Sequence, residues 1–259
     1  MTESTLDVRG TRIRILRGGD GPPLLYLHGS GDSGVWQPVL DGLARDFDVI
    51  RPDHPGYGFS DEGRGIDTVH DLAFFYLDLL DALGIEKTAV IGSSLGGWIG
   101  ADLATIEPAR ITRLVLIGAA GLRVEDSGQP DEFAMDPVAS IEAVYAGADA
   151  RRAATERFAS LEGDPPAMER YLRNRITTAH LAWNPYFHDP KLVHRLHRIT
   201  APTLVVWGSD DGLVPLAHGH HWTELIDASR LEVIDGAGHL PHVEQADRFL
   251  EVVRAFLDD

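Results

Sequence analysis

The sequence lacks cysteine altogether. This absence excludes disulfide bonds, a thiol nucleophile and cysteine-ligated metal sites. Histidine is present, but neither the group within residues 218–221 nor the pair at 194 and 197 has a carboxylate at the spacing of a metal ligand set. We therefore expect no metal site, and any nucleophile must come from another side-chain type.

Long apolar runs and an excess of basic charge are also missing. No segment approaches the roughly 18 consecutive apolar residues of a membrane span, and residues 1–16 lack the basic patch and apolar stretch of a secretory signal. Lys and Arg number 23 against 40 Asp and Glu, a net charge of −17, which disfavours binding to nucleic acid or an anionic membrane. We expect a cytoplasmic protein whose partner is a small-molecule substrate. The sequence is also compatible with a homo-oligomer.

What is present is an alternation of short apolar runs with longer segments of helical period. This pattern is typical of an α/β protein with a mostly parallel, doubly wound sheet, and 259 residues suit one main domain with an insertion. We predict strands at residues 11–17, 23–28, 47–52, 87–92, 112–118, 203–208 and 231–235, and helices at 35–45, 68–84, 95–107, 215–226 and 243–257.

The alternation stops over residues 122–198, where charged helical stretches offer no good strand candidate. We predict that this stretch is an inserted helical cap on a main domain formed by residues 1–121 and 199–259. Trp183 and Phe187 in the cap are candidate substrate-binding residues, although a cap also needs apolar side chains for docking. The arginines at 170, 173 and 175 could meet an anionic substrate, but a solvated helix face is the simpler interpretation.

Residues 92–96 read GSSLG and match the G-x-S-x-G nucleophile elbow, after a predicted strand and at the start of a predicted helix. The tight turn leaves no room for bulky side chains two positions before and after its centre. Gly92 and Gly96 satisfy this for Ser94, whereas a turn centred on Ser93 would place isoleucine and leucine there. Ser94 is therefore the predicted nucleophile. The backbone N–H of Leu95, at the positive end of the helix, is a predicted oxyanion donor.

Candidates for the acid and the base follow late strands. Asp210 and Asp211 come after the strand at 203–208, and His239 comes after the strand at 231–235. Singly, each is an ordinary turn residue. Together they have the chain order Ser, acid, His and lie at the carboxyl ends of strands, where open α/β sheets bind ligands. They predict a catalytic triad in which two carboxylates compete for the acid role.

These motifs resemble the α/β-hydrolase superfamily, specifically its capped single-domain serine hydrolases. The matching stretches are residues 27–31, 53–60, 92–97, 207–215 and 238–244. The resemblance implies that Asp211 orients His239 and that the backbone N–H of Ser30 is the second oxyanion donor, with Gly29 or Gly31 as alternatives. It also implies structural roles for His28 and for the 53–60 loop.

The chemistry and the resemblance imply the same reaction. His239 takes the proton of Ser94, the alkoxide attacks a carbonyl, and water then hydrolyses the acyl-enzyme. No metal or organic cofactor is needed. We expect a serine hydrolase acting on a carboxylic ester or similar acyl substrate, that is, a carboxylesterase. The serine disfavours haloalkane dehalogenases and epoxide hydrolases of this fold, which use aspartate. The positions of Lys87 and Lys191 disfavour hydroxynitrile lyases.

Carbon–carbon hydrolases of ring-cleavage products rank second. Residues 27–31 resemble their oxyanion loop, but such enzymes usually follow it with Pro-Gly and follow the histidine with Trp, whereas this chain has Asp32-Ser33 and Leu240. Enol-lactonases and cofactor-free perhydrolases share the triad. A ligand-binding protein with a silent triad on the same scaffold is the alternative from another class.

Overall fold

An eight-stranded sheet forms the centre of the protein. The computed structural model describes residues 1–31 and 34–258. In spatial order the strands run β1-β2-β4-β3-β5-β6-β7-β8. Their bounds are β1 Thr2–Val8, β2 Thr11–Gly18, β3 Pro23–Leu27, β4 Asp48–Pro52, β5 Thr88–Ser93, β6 Ile111–Ile117, β7 Thr203–Gly208 and β8 Ser229–Ile234. β2 is antiparallel to β1 and β4, and all other pairings are parallel. The predicted mostly parallel sheet is confirmed.

Helices cover both faces of the sheet. They are α1 Pro38–Leu43, α2 Val69–Ala82, α3 Leu95–Ile106, α4 Pro137–Val144, α5 Ala148–Ser160, α6 Pro165–Ala182, α7 Ala217–Leu225, α8 Pro241–Glu244 and α9 Ala246–Asp258. Successive side chains of a strand point to opposite faces. On β5, Val90 accordingly packs in a core with α2 and α3, while Ile91 packs in a second core with α1 and α9. Burial on both faces explains why the central strands are almost wholly apolar.

The edge strand β1 was not predicted from the sequence. Its residues, TESTLDV, are polar and mostly exposed, with Val8 as its buried end. A solvent-exposed edge strand needs no apolar run. β1 is held by backbone pairing with β2, from Thr2↔Arg17 to Val8↔Thr11. The predicted helix at 243–257 is also two helices, α8 and α9, which are separated at Gln245.

The chain between β6 and β7 carries α4, α5 and α6. We call residues 122–198 the cap, and this division of the chain stays a prediction. Helix α6 docks on the 53–60 loop of the main domain. The backbone N–H of Gly58 donates to Asn174 Oδ1 at 3.0 Å, and Thr177 Oγ1 donates to the carbonyl of Gly56 at 3.1 Å. The 53–60 loop is therefore a docking surface for the cap.

Candidate active site

Ser94 stands between β5 and α3 in a strained backbone conformation. Its φ of 53° and ψ of −114° define a backbone conformation that residues other than glycine rarely adopt. Close packing around the turn sustains this conformation. A Cβ on Gly92 would lie 2.2 Å from the carbonyl oxygen of Gly96, and one on Gly96 would lie 2.1 Å from that of Leu27. Both positions therefore require glycine, and the turn presents Ser94 at the carboxyl edge of the sheet.

His239 and Asp211 meet at the same edge. His239 Nδ1 lies 2.8 Å from Asp211 Oδ2, and both side chains are buried. The other carboxylate oxygen, Oδ1, accepts the backbone N–H groups of Leu213 at 2.9 Å and Val214 at 2.8 Å. These bonds fix the orientation of the carboxylate. A histidine that donates from Nδ1 presents Nε2 as the proton acceptor.

The structure separates the two competing carboxylates. Asp210 is exposed, and its Oδ2 accepts a hydrogen bond from Ser209 Oγ at 2.8 Å. It is Asp211 that contacts His239. Sequence reasoning missed Gly118, which follows β6 with a φ of 50° and whose added Cβ would lie 3.0 Å from the imidazole of His239. The signal for it was the run of small residues at 118–121.

Of the two predicted oxyanion donors, Leu95 directly follows Ser94 and Ser30 lines the same cavity. Leu95 begins α3, so its N–H has no acceptor within the helix. Ser30 lines the same cavity as Ser94, together with Gly29 and Gly31. Asp32 and Ser33, where the sequence departs from the carbon–carbon hydrolase pattern, lie outside the described residues.

His28 is fully buried below this loop. Its Nδ1 lies 2.7 Å from the carbonyl oxygen of Gly29, and its Nε2 accepts the backbone N–H of His54 at 3.0 Å. Burial, together with the neighbouring His54 and Arg51, lowers the pKa of His28 well below its ordinary value. The imidazole is therefore neutral, and its two nitrogens form hydrogen bonds with backbone groups of Gly29 and His54.

A cavity of about 700 Å³ lies between the sheet edge and the cap, and both Ser94 and His239 line it. The predicted substrate-binding residues need correction, because among the described lining residues neither Trp183 nor Phe187 is found. Trp183 is 61% exposed and follows the end of α6, where it borders a separate surface cavity. Phe187 is buried and stacks on Phe133, with ring centroids 5.3 Å apart, and it is Phe133 that lines the catalytic cavity.

The arginines also need correction. Arg170 and Arg175 of α6, expected on a solvated face, line the cavity with Arg157 of α5. The guanidinium of Arg170 lies 4.7 Å from the ring centroid of Phe59, a cation–π contact. Three arginines thus line the cavity that Ser94 also lines, although the chain as a whole is strongly acidic.

Within residues 1–31 and 34–258, no group of three or more His, Cys, Asp or Glu side chains could hold a metal ion. No helix in the same part of the chain has the length and apolarity needed to cross a membrane.

Comparison with known proteins identifies the family. A family model for the alpha/beta hydrolase fold matches residues 22–246. The chain belongs to the α/β-hydrolase family. The match spans Ser94, Asp211 and His239 as well as the cap, and it confirms the resemblance predicted from the motifs.

Known relatives of this α/β hydrolase differ in activity. An uncharacterised protein of Mycobacterium tuberculosis is 31% identical over 97% of this chain and 80% of the relative. The 2-hydroxymuconate semialdehyde hydrolase of Pseudomonas sp. strain CF600 is 29% identical over 96% of this chain and 91% of its own. The structure of a bacterial membrane phospholipase A superposes with a TM-score of 0.82 and 25% identity, covering 99% of this chain and 86% of that chain.

Proposed function

We propose that this α/β hydrolase cleaves a carboxylic ester through an acyl-enzyme, with Ser94 as nucleophile, His239 as general base and Asp211 as the residue that orients the base. The observation that carries the proposal is the 2.8 Å contact between His239 Nδ1 and Asp211 Oδ2, in a cavity that Ser94 also lines. This arrangement has the roles of a Ser-His-Asp triad.

The reaction follows from the positions of these groups. His239 Nε2 removes the proton of Ser94 Oγ as the oxygen attacks the carbonyl carbon, and the backbone N–H groups of Leu95 and Ser30 stabilise the negative oxygen. His239 then gives the proton to the departing alcohol. In the second half, His239 takes a proton from water as the water attacks the acyl-enzyme, and then gives the proton to Ser94 Oγ, which releases the carboxylic acid and restores Ser94.

The cavity suits a small to medium acyl substrate. Its volume of about 700 Å³ falls within the range of small-molecule sites. Apolar side chains such as Val39, Ile141 and Leu213 line it beside the catalytic groups. A relative in structure, the phospholipase A, is named for an ester-cleaving activity.

A second candidate is hydrolysis of a carbon–carbon bond in a ring-cleavage dienoate. The arginines Arg157, Arg170 and Arg175 in the cavity favour it, because guanidinium groups bind carboxylates. The 2-hydroxymuconate semialdehyde hydrolase relative also supports it. Leu240, directly after the base, argues for the ester, since carbon–carbon hydrolases usually carry tryptophan there.

The test is a side-by-side measurement of kcat/KM for nitrophenyl esters, lactones and a ring-cleavage dienoate. We expect short and medium-chain esters to be the best substrates. A dienoate preferred over the best ester by more than about tenfold, or about 1.4 kcal/mol of transition-state free energy, would establish the second candidate instead. A folded sample in which a fluorophosphonate fails to label Ser94 would point to a ligand-binding protein.

A further inference from the structure

Glu132 is a cap residue that the catalytic scheme does not use. It lies in the loop between β6 and α4, and its side chain lines the cavity that contains Ser94 and His239. Among the described residues lining this cavity, it is the one Asp or Glu. The other charged residues of this lining are the arginines 157, 170 and 175, so a lone acidic side chain there requires an explanation.

The backbone of this loop is held firmly. The hydroxyl of Tyr186 accepts the N–H of Glu132 at 2.7 Å and donates to the carbonyl of Pro130 at 2.8 Å. The next residue, Phe133, stacks on Phe187 with the ring planes 16° apart. Both Glu132 and Phe133 line the cavity. Glu132 is therefore part of a built wall of the site.

The charge of Glu132 interacts with the catalytic base. Burial raises the pKa of Glu132, while His239 and Arg175 act in the opposite direction. The titratable or charged groups around Glu132 are Asp131 on its own loop, Arg175 on α6, Tyr57 on the 53–60 loop, Tyr186 after α6 and His239. Those around His239 include Asp211, His242 and Glu132, and the Glu244 carboxylate accepts the N–H of the preceding residue, Gly238, at 2.7 Å. Glu132 and His239 line the same cavity of about 700 Å³, and this shared space is what brings the carboxyl group and the imidazole near each other.

We propose that Glu132 is a positioning residue that acts through His239, its carboxylate stabilising the imidazolium that forms when Ser94 gives up its proton. The cap then contributes a charge to a catalytic unit whose other members belong to the main domain. This inference rests on the Ser94–His239 chemistry of the proposed function, and it holds for either bond that the enzyme cleaves.

Removal of the Glu132 charge should shift the pH at which His239 loses its proton in one direction. A nearby carboxylate favours the protonated form of a histidine, so a neutral residue at 132 makes His239 lose its proton at lower pH. The acid limb of Ser94 reactivity should therefore move to lower pH by about 0.5 unit or more.

The experiment is the rate of Ser94 labelling by a fluorophosphonate between pH 5 and 8. We compare the full-length wild type with Glu132→Gln, which keeps the shape, and Glu132→Asp, which keeps the charge. Asp131→Asn is the matched control, because Asp131 is exposed and its Oδ1, which accepts the N–H of Phe133 at 3.0 Å, is retained in asparagine. This reaction needs no knowledge of the natural substrate.

We expect the limb of Glu132→Gln to shift to lower pH, that of Glu132→Asp to stay near the wild type, and that of Asp131→Asn to coincide with it. A Glu132→Gln limb that coincides with the wild type overturns the inference. If the glutamine variant does not fold, Glu132→Ala replaces it. Its acid limb must also shift to lower pH, and an unshifted limb overturns the inference. Failure of the proposed function would look different, because the wild type itself would not be labelled.

Discussion

The hydroxyl of Tyr57 in the main domain lies 2.8 Å from the hydroxyl of Thr178 on α6 of the cap. Both side chains are buried, and burial raises the pKa of Tyr57, so the phenol keeps its proton. Thr178 also lines the catalytic cavity. This hydrogen bond therefore joins the cap to the main domain at the wall of the site.

Removal of the Thr178 hydroxyl should loosen this junction. We expect Thr178→Val to lower the free energy of unfolding by about 1–2 kcal/mol, because the buried phenol of Tyr57 loses its partner. Thr178→Ser should restore it. Urea unfolding measures the effect, with Thr155→Val as the control, since Thr155 is exposed on α5. Equal losses at the two threonines would show that the contact between cap and main domain adds nothing.

Ser94→Ala should abolish hydrolysis, a loss of roughly 10⁶-fold in kcat, since the nucleophile is removed. Ser93→Ala should keep a reactive nucleophile, because Ser93 is the last residue of β5 and is fully buried. Fluorophosphonate labelling followed by peptide mass spectrometry identifies the modified serine. Turnover by Ser94→Ala would refute the assignment.

The two aspartates should differ sharply. Asp211→Asn should lower kcat by about 10⁴-fold, because an amide cannot hold His239 in the tautomer that accepts the proton of Ser94. Asp210→Asn should have little effect, since the Asp210 carboxylate contacts Ser209 and is exposed. Steady-state kinetics on the best ester compares them. The reverse order would move the acid role to Asp210.

Acid should destabilise the fold through its buried histidines. Burial lowers the pKa of His242 to about 3, and neither ring nitrogen has a hydrogen-bond partner among the described residues. The unfolded chain takes up this proton near pH 6.5, whereas the folded state stays neutral to about pH 3. Stability is therefore present above pH 6.5 and is lost as the pH falls toward 3, by about 2 kcal/mol between pH 7 and 5.

His242→Leu should remove this part of the loss of stability in acid. Leucine can fill the space between Tyr26 and Phe249, and it has no group that takes up a proton. Urea unfolding at pH 7 and at pH 5 gives the difference. The exposed His220 provides the control, and His220→Gln should keep the wild-type dependence. If His242→Leu loses as much stability in acid as the wild type, the buried imidazole is not the cause.

The mostly parallel sheet and the positions of the candidate triad residues could be read from the sequence because their signals are local. The glycines around Ser94 follow from the crowding of one tight turn, and the parallel strands follow from runs of residues buried on both faces. His239 could be found because the carboxyl ends of neighbouring parallel strands share one edge of a sheet. The choice between Asp210 and Asp211 came from family resemblance, and their side-chain contacts are visible only in the structure.

The cap required tertiary structure. Its helices could be predicted, but the side of α6 that meets the cavity depends on contacts with residues far away in the chain, such as Asn174 with Gly58. In the packed structure Arg170 and Arg175 line the cavity, and Trp183 is exposed. The sequence alone determined the strands from β2 onward and the glycine-flanked turn around Ser94, since neighbouring residues define them. The tertiary structure decided which cap side chains reach the substrate, because that depends on how a helix is rotated against a partner more than 100 residues away.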